Sequence, residues 1–237
     1  MSEFVIAHLY PQRMNIYGDT GNVIAMSRRL EWRNIPFRVD RVRVGEAYDV
    51  MDADLVLAGG GEDTSQAAVA DDLVERGPGI RAAVEAGVGF LVVCGTYQLF
   101  GRRFLAADGS ELPGIAVFGA ETVGGEGRMI GNVVVEAEFG RLVGFENHGG
   151  RTRLDDDQPA LGRVVRGSGN DGDSGYEGAV RVNCFGTYLH GSVLPKNPRF
   201  ADELLRRAMV RRHPGVDLEP LDDSVEDAAA ESAASRP

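Results

Sequence analysis

Four apolar segments in the first hundred residues constrain this chain more than any other feature. FVIAHLY (4–10), FRVDRVRV (37–44), DLVLAGGG (54–61) and GFLVVC (89–94) are short, rich in β-branched or aromatic side chains, and bounded by turn residues. They read as strands. Asp19 and Thr20 are placed to cap a helix whose Val23, Met26 and Leu30 share one face. Pro36 closes that unit. A second helix is expected from Gly79 to Ala86, and a third begins directly after Cys94. Strand and helix alternating at this spacing predict an α/β fold with a parallel-sheet core and helices on both faces.

Beyond about residue 115 the pattern changes. NVVVEAEF (132–139), RLVGFENH (141–148), GRVVRG (162–167), GAVRVN (178–183) and CFGTYLHG (184–191) are β-like pieces in close succession. They are expected as antiparallel strands added to the sheet in the C-terminal half, as hairpins would be. GSGNDGDSGYEG (167–178) is a polar turn region, and PRFADELLRRAMVRRH (198–213) a closing amphipathic helix. One domain is thus expected over 1–213. The remainder, 214–237, is acidic, Ala/Ser-rich and poor in large apolar groups, which predicts a disordered tail.

Composition excludes several function classes. No apolar run approaches the roughly 18 residues of a membrane span. MSEFVIAHLY has neither a basic region nor a small-residue cleavage site, so a cytoplasmic protein is expected. The formal charge of −11 opposes general affinity for nucleic acid or anionic lipid. Cys94 and Cys184 are expected as free thiols. No His, Cys, Asp or Glu group has metal-ligand spacing, so no metal site is expected.

The chemistry concentrates at three strand ends. In LVVCGTYQLFG (91–101) Cys94 closes a strand and opens a helix. That position suits a nucleophile exposed on a sharp turn, with helix N–H groups favouring its thiolate, and suits a buried structural cysteine equally. Gly95 lets its own N–H approach an oxyanion closely. In CFGTYLHG, His190 follows another strand end, where it can meet Cys94 across the sheet and act as its base. In AGGGEDTSQ (58–66) the glycines suit an oxyanion-hole contribution from Gly60 better than a phosphate site, since the P-loop lysine is missing. Gln98, one turn past Cys94, either lines the same pocket or supports the turn. His148, His8 and His213 receive no role.

The stretch Cys94-Gly95-Thr96-Tyr97-Gln98-Leu99-Phe100-Gly101 resembles the nucleophile motif of the cobyric acid synthase branch of class I glutamine amidotransferases. Gly186-Thr187-Tyr188-Leu189-His190-Gly191 resembles its histidine motif, and Gly144-Phe145-Glu146-Asn147-His148-Gly149-Gly150-Arg151-Thr152 a third. Within the branch, Met14-Asn15-Ile16-Tyr17-Gly18-Asp19-Thr20-Gly21-Asn22 and the form FENHGGRT are most similar to the glutaminase subunits of lipid II isoglutaminyl synthases, the GatD type. The resemblance implies a flavodoxin-like fold and hydrolysis of L-glutamine by Cys94 and His190 through a thioester. It implies an oxyanion hole from Gly60 and Gly95, and Arg128, in GGEGRMIGN, as the residue that selects glutamine by its α-carboxylate. It also implies a heterodimer with a separate Mur-ligase-like synthetase, the MurT type, which uses ATP and Mg to amidate D-glutamate of the lipid II stem peptide. No cofactor is implied in this chain. The alternatives are another acceptor, such as a corrin precursor, or a stand-alone γ-glutamyl cysteine hydrolase.

Two positions depart from the wider family. Ser192 stands where a glutamate follows the histidine by two residues, so the resemblance implies that the partner supplies the orienting carboxylate. Val92 stands where such turns often carry glycine.

Overall fold

A computed structural model describes residues 2–190 and 192–236; Gly191 of the histidine motif lies outside the described residues. Along the chain the strands and helices are β1 (Phe4–Leu9), α1 (Thr20–Glu31), β2 (Phe37–Val42), β3 (Leu55–Ala58), α2 (Asp63–Glu85), β4 (Gly89–Val93), α3 (Gly95–Phe100), β5 (Arg103–Leu105) and β6 (Glu111–Pro113). There follow β7 (Ala120–Ala137), β8 (Gly140–Leu154), β9 (Gly162–Arg166), β10 (Tyr176–Glu177), β11 (Ala179–Arg181), β12 (Cys184–Thr187), α4 (Pro198–Arg212) and α5 (Ser224–Ser235).

The first sheet has the order β11-β12-β4-β3-β1-β2. All its neighbours are parallel except β11, which runs antiparallel to β12. Every residue of β1, β3, β4 and β12 is buried. Such strands need cover on both faces, which is why they read as continuous apolar runs. α1 packs with α4, and α2 packs with α3. The carboxyl ends of β1, β3, β4 and β12 share one edge of the sheet. The loops leaving them are therefore neighbours, although up to 180 residues separate them in sequence.

The later strands do not simply extend this sheet. Only β11 and β12 join it; β5 to β10 build a second sheet of order β10-β9-β7-β5-β6, with β8 paired to β7. β7 and β8 form one long hairpin whose register shifts between Gly124 and Met129. Gly124, Gly125, Gly127 and Gly131 interrupt its alternation in sequence, so a single strand reads as a loop followed by a short strand.

The second helix is also longer than the span from Gly79 to Ala86. It begins at Asp63, with Pro78 inside it. The Gly77-Pro78-Gly79 triplet is the poorest helix-forming sequence available, since Pro cannot donate to the carbonyl four residues back. Tertiary packing overrides it: Val69, Leu73, Ile80 and Val84 form a buried stripe at helical spacing. A side chain at 77 would press within 3.1 Å of Ile115.

The tail, read from composition as structureless, carries α5. No residue of α5 is buried. Leu218 joins the core and Val216 packs against it, and charge holds the rest of the segment. Arg29, only 3% exposed, bonds Asp202 at 2.6 Å and Asp223 at 2.7 Å, and Arg33 reaches the Glu219 carbonyl at 2.7 Å. Arg141 pairs with Glu231. Among the described residues no helix is long and apolar enough to cross a membrane.

One glycine ties the sheet to the turn at Cys94. A Cβ at Gly186 in β12 would lie 2.2 Å from Tyr97 Cδ2 in α3. Gly186→Ala is expected to cost about 1–3 kcal/mol through overpacking. Thermal melting checks this; an unchanged melting temperature would show that Tyr97 is free to shift.

Candidate active site

β4 delivers Cys94 to the shared edge. Its N–H donates to the Thr187 carbonyl at 2.8 Å, and its carbonyl accepts from Gln98 N at 2.9 Å, so strand pairing and helix start meet at one residue. Its backbone has φ 51° and ψ −108°, which a residue with a side chain rarely adopts. The sharp turn is thus made at the cysteine itself, with Val92 two residues earlier in ordinary strand conformation. A Cβ on Gly95 would come within 2.7 Å of Gln66 Nε2, so a larger residue there would have to displace Gln66. The Gly95 N–H favours the charged form of the Cys94 sulfur.

The thiol is nevertheless pushed up to about 12, by burial first and then by the charge of Asp19; the Gly95 N–H and Arg128 pull the other way. The expected lowering by helix N–H groups is outweighed because the side chain is almost wholly buried and α3 has only six residues.

His190 lies just past β12, held by a backbone bond to Phe145 O at 2.8 Å. Its ring is fully buried, and neither ring nitrogen has a partner among the described residues. Burial, then the neighbouring His148 and Arg128, lower its pKa to about 3, so it is a neutral imidazole. Tyr17 covers it, ring centroid to ring centroid 4.4 Å.

The glycine loop after β3 lies between these two side chains. A Cβ on Gly60 would stand 3.0 Å from His190 Cε1 and 3.6 Å from Cys94 Sγ. Cys94, His190 and Gly60 therefore converge on one point, where a side chain would press on both reactive groups. The Gly60 N–H, however, donates to Asp19 Oδ2 at 2.9 Å and is engaged in this conformation.

Asp19 is the residue whose part the sequence concealed. It does not cap α1: its backbone is already helical, its side chain makes no cap bond, and Thr20 N bonds Asn15 Oδ1 at 2.8 Å instead. Its carboxylate turns toward the glycine loop and is 3% exposed. Oδ1 has no partner among the described residues, and burial raises its pKa to about 6. The available signal was position, because residues 10–19 leave the carboxyl end of β1 at the edge that carries Cys94.

A cavity of about 630 Å3 opens above the cysteine, lined by Tyr17, Gln66, Cys94, Gln98, Arg128 and His148 among others. Arg128 stands in the irregular part of β7, after Gly127 at φ 71°. Its guanidinium is fixed by Asn147, through Nε to Oδ1 and Nη2 to the carbonyl, each at 2.7 Å. A guanidinium held in one plane at a cavity wall suits two-pronged binding of a carboxylate.

Gln98 is tied at both ends of its amide, accepting from Gln66 at 2.9 Å and donating to Tyr188 Oη at 3.0 Å. It braces the turn as well as lining the cavity. His148 stacks on Tyr188 at 3.6 Å, and burial lowers its pKa to about 4. Ser192 donates to the Gly18 carbonyl at 2.7 Å. No group of His, Cys, Asp and Glu among the described residues could hold a metal ion.

This geometry agrees with what the chain is similar to. Residues 5–198 match the model of the CobB/CobQ-like glutamine amidotransferase domain. The chain belongs to that family. A lipid II isoglutaminyl synthase (glutamine-hydrolyzing) subunit GatD of Staphylococcus aureus is 38% identical over 221 residues, covering 93% of this chain and 89% of the relative. Its counterpart in Streptococcus pneumoniae is 36% identical over 217 residues, covering 90% and 83%. Among solved structures, a crystal structure of a glutamine amidotransferase superposes with a TM-score of 0.57 at 14% identity, over 85% of this chain and 98% of that one. At that identity the likeness speaks for the fold. The α/β architecture with a parallel core is the one the sequence predicts.

Proposed function

We propose that this chain is the glutaminase subunit of a lipid II isoglutaminyl synthase. It hydrolyses L-glutamine and passes ammonia to a Mur-ligase-like synthetase that amidates D-glutamate of the stem peptide. The observation that carries this reading is the meeting of Cys94 and His190 around Gly60, beneath a cavity walled by Arg128, in a chain that matches GatD relatives over most of its length.

His190 takes the Cys94 proton, and the sulfur attacks the side-chain carbonyl carbon of glutamine. The Gly95 N–H, and the Gly60 N–H once released, stabilise the tetrahedral oxyanion; one such donor contributes about 3 kcal/mol to lowering the barrier. His190 returns the proton to the departing nitrogen, and ammonia leaves. Water then attacks the thioester and glutamate is released. The neutral imidazole is the form a general base requires, but nothing among the described residues orients it, since Ser192 offers no carboxylate. A carboxylate of the synthetase subunit is assigned that task in a heterodimer. ATP and Mg belong to the synthetase. The complex works in the cytoplasm, where a lipid-linked acceptor brings it to the inner membrane face.

The test is co-purification with the candidate ligase and a glutaminase assay with and without it. Activity is expected to rise at least about tenfold with the partner, the gain typical of positioned acid–base catalysis being larger still. Full activity in the isolated chain would sink the shared site. Arg128→Ala is expected to raise KM for glutamine about tenfold or more, through loss of a charge-assisted bond of roughly 1.5–3 kcal/mol. An unchanged KM would remove Arg128 from the binding site.

A further inference from the structure

Three working parts of the site are switched off together, and a single segment touches all of them. Asp19 Oδ2 holds the Gly60 N–H that a developing oxyanion would need. The charge of Asp19 opposes a thiolate at Cys94. Tyr17, two residues earlier, packs against the buried His190 ring, whose nitrogens bond nothing among the described residues. Its local bonds lie at the start of α1, where Gly21 N and Asn22 N donate to the Gly18 and Asp19 carbonyls at 2.7 and 2.9 Å. Apart from the Asp19 bond to Gly60, its ties to the rest of the fold are Ile16 N to the Gly60 carbonyl at 3.2 Å and Ser192 Oγ to the Gly18 carbonyl at 2.7 Å. Asp19 is moreover an expensive group to keep there, a nearly buried carboxylate with one oxygen unpartnered among the described residues.

We propose that residues Tyr17 to Asp19 form an autoinhibitory strap, with Asp19 as its latch on Gly60, which the synthetase subunit displaces on docking; this rests on the subunit reading above. Withdrawing the strap performs three operations at once. It frees the Gly60 N–H, removes a negative charge from the neighbourhood of the thiol, and opens the face of His190 to an incoming carboxylate. Glutamine would then be hydrolysed only where its ammonia has a use.

Alkylation of Cys94 by iodoacetamide, followed by intact mass on the full chain, measures the strap without requiring turnover. Cys184 is fully buried and serves as the internal control. Asp19→Ala is expected to react about tenfold faster than wild type at neutral pH, as a tenfold larger thiolate fraction would produce. Tyr17→Ala is expected to react faster as well. Adding the synthetase subunit should accelerate wild type more than either variant. Rates unchanged or lowered in both variants, with melting temperatures retained, would overturn the strap. Should Asp19→Ala fail to fold, Tyr17→Ala decides alone, because that side chain is only half-buried. A wild-type chain that hydrolyses no glutamine even with the synthetase present would defeat the subunit reading, yet leave these alkylation rates to judge the strap.

Discussion

Cys94→Ala is expected to abolish glutamine hydrolysis, with and without the partner, by at least about four orders of magnitude. Removing the nucleophile of an acyl-transfer site leaves only binding and oxyanion stabilisation. Folding should survive, because the alanine Cβ occupies the same place and neither Cys94 backbone bond is touched. Cys94→Gly separates strain from chemistry. It removes activity equally, but relieves a φ of 51° that only glycine adopts freely. The glycine variant is therefore expected to be more stable than the alanine variant by about 1 kcal/mol, within the range for such backbone positions. Denaturant unfolding of the two variants measures this, beside a glutaminase assay. Residual turnover in Cys94→Ala would place the nucleophile elsewhere. Equal stability would mean that the turn is held without strain.

The sequence revealed most where one local pattern carries both structure and chemistry. Cys94 is such a case: an apolar strand ending in Cys-Gly before a helix already implies a sharp turn at the carboxyl edge of the sheet, although the sulfur there is buried. His190 was visible only jointly, as a second reactive group at a second strand end. What stayed hidden depends on contacts far apart in sequence. Asp19 matched a helix cap so well that its bond to Gly60, 41 residues on, left no local trace. The helix N–H groups were expected to favour the thiolate. Burial instead raises the thiol, and burial is not a property of a motif. The same reason explains α2, where a tertiary stripe defeats Gly77-Pro78-Gly79. It explains the second sheet too, since the pairing of β7 with β8 is set by register across a hairpin rather than by either strand alone. The tail is the reverse case. Its composition shows few large apolar groups, but not that Leu218 reaches the core or that Arg29, deep against α4, provides an ionic anchor for it.

The buried histidines give the fold a steep acid limit. His8, His148 and His190 have pKa values lowered from 6.5 to about 4, about 4 and about 3, each with burial as the first cause. In the unfolded chain all three take protons near pH 6.5, while in the folded chain they do not. Below that pH the unfolded state binds more protons, and stability falls with pH until the folded values are reached. Two carboxyls oppose this. Asp19 and Glu177 are raised to about 6 and about 7 by burial, so the folded state takes protons there before the unfolded one does. Three histidines, each displaced at least as far as either carboxyl, outweigh the two. Stability is therefore expected to be nearly flat between about pH 7 and 8, and to fall at higher pH where the thiols of Cys94 and Cys184, raised by burial, ionise only in the unfolded chain. It is expected to drop by about 3 kcal/mol between pH 6.5 and 4, since a tenfold difference in proton affinity between folded and unfolded chain is worth about 1.4 kcal/mol. Urea unfolding at a series of pH values measures the slope. His8 is the informative residue to replace, because it lies in β1 and lines none of the cavity above Cys94. His8→Leu should remove most of that drop, since a displacement from 6.5 to about 4 is by itself worth about 3 kcal/mol, without moving the pH dependence of glutaminase activity. An unaltered slope in that variant would mean that the acid loss arises at the active-site histidines alone, and that the same protonation which silences the base also begins to unfold the protein.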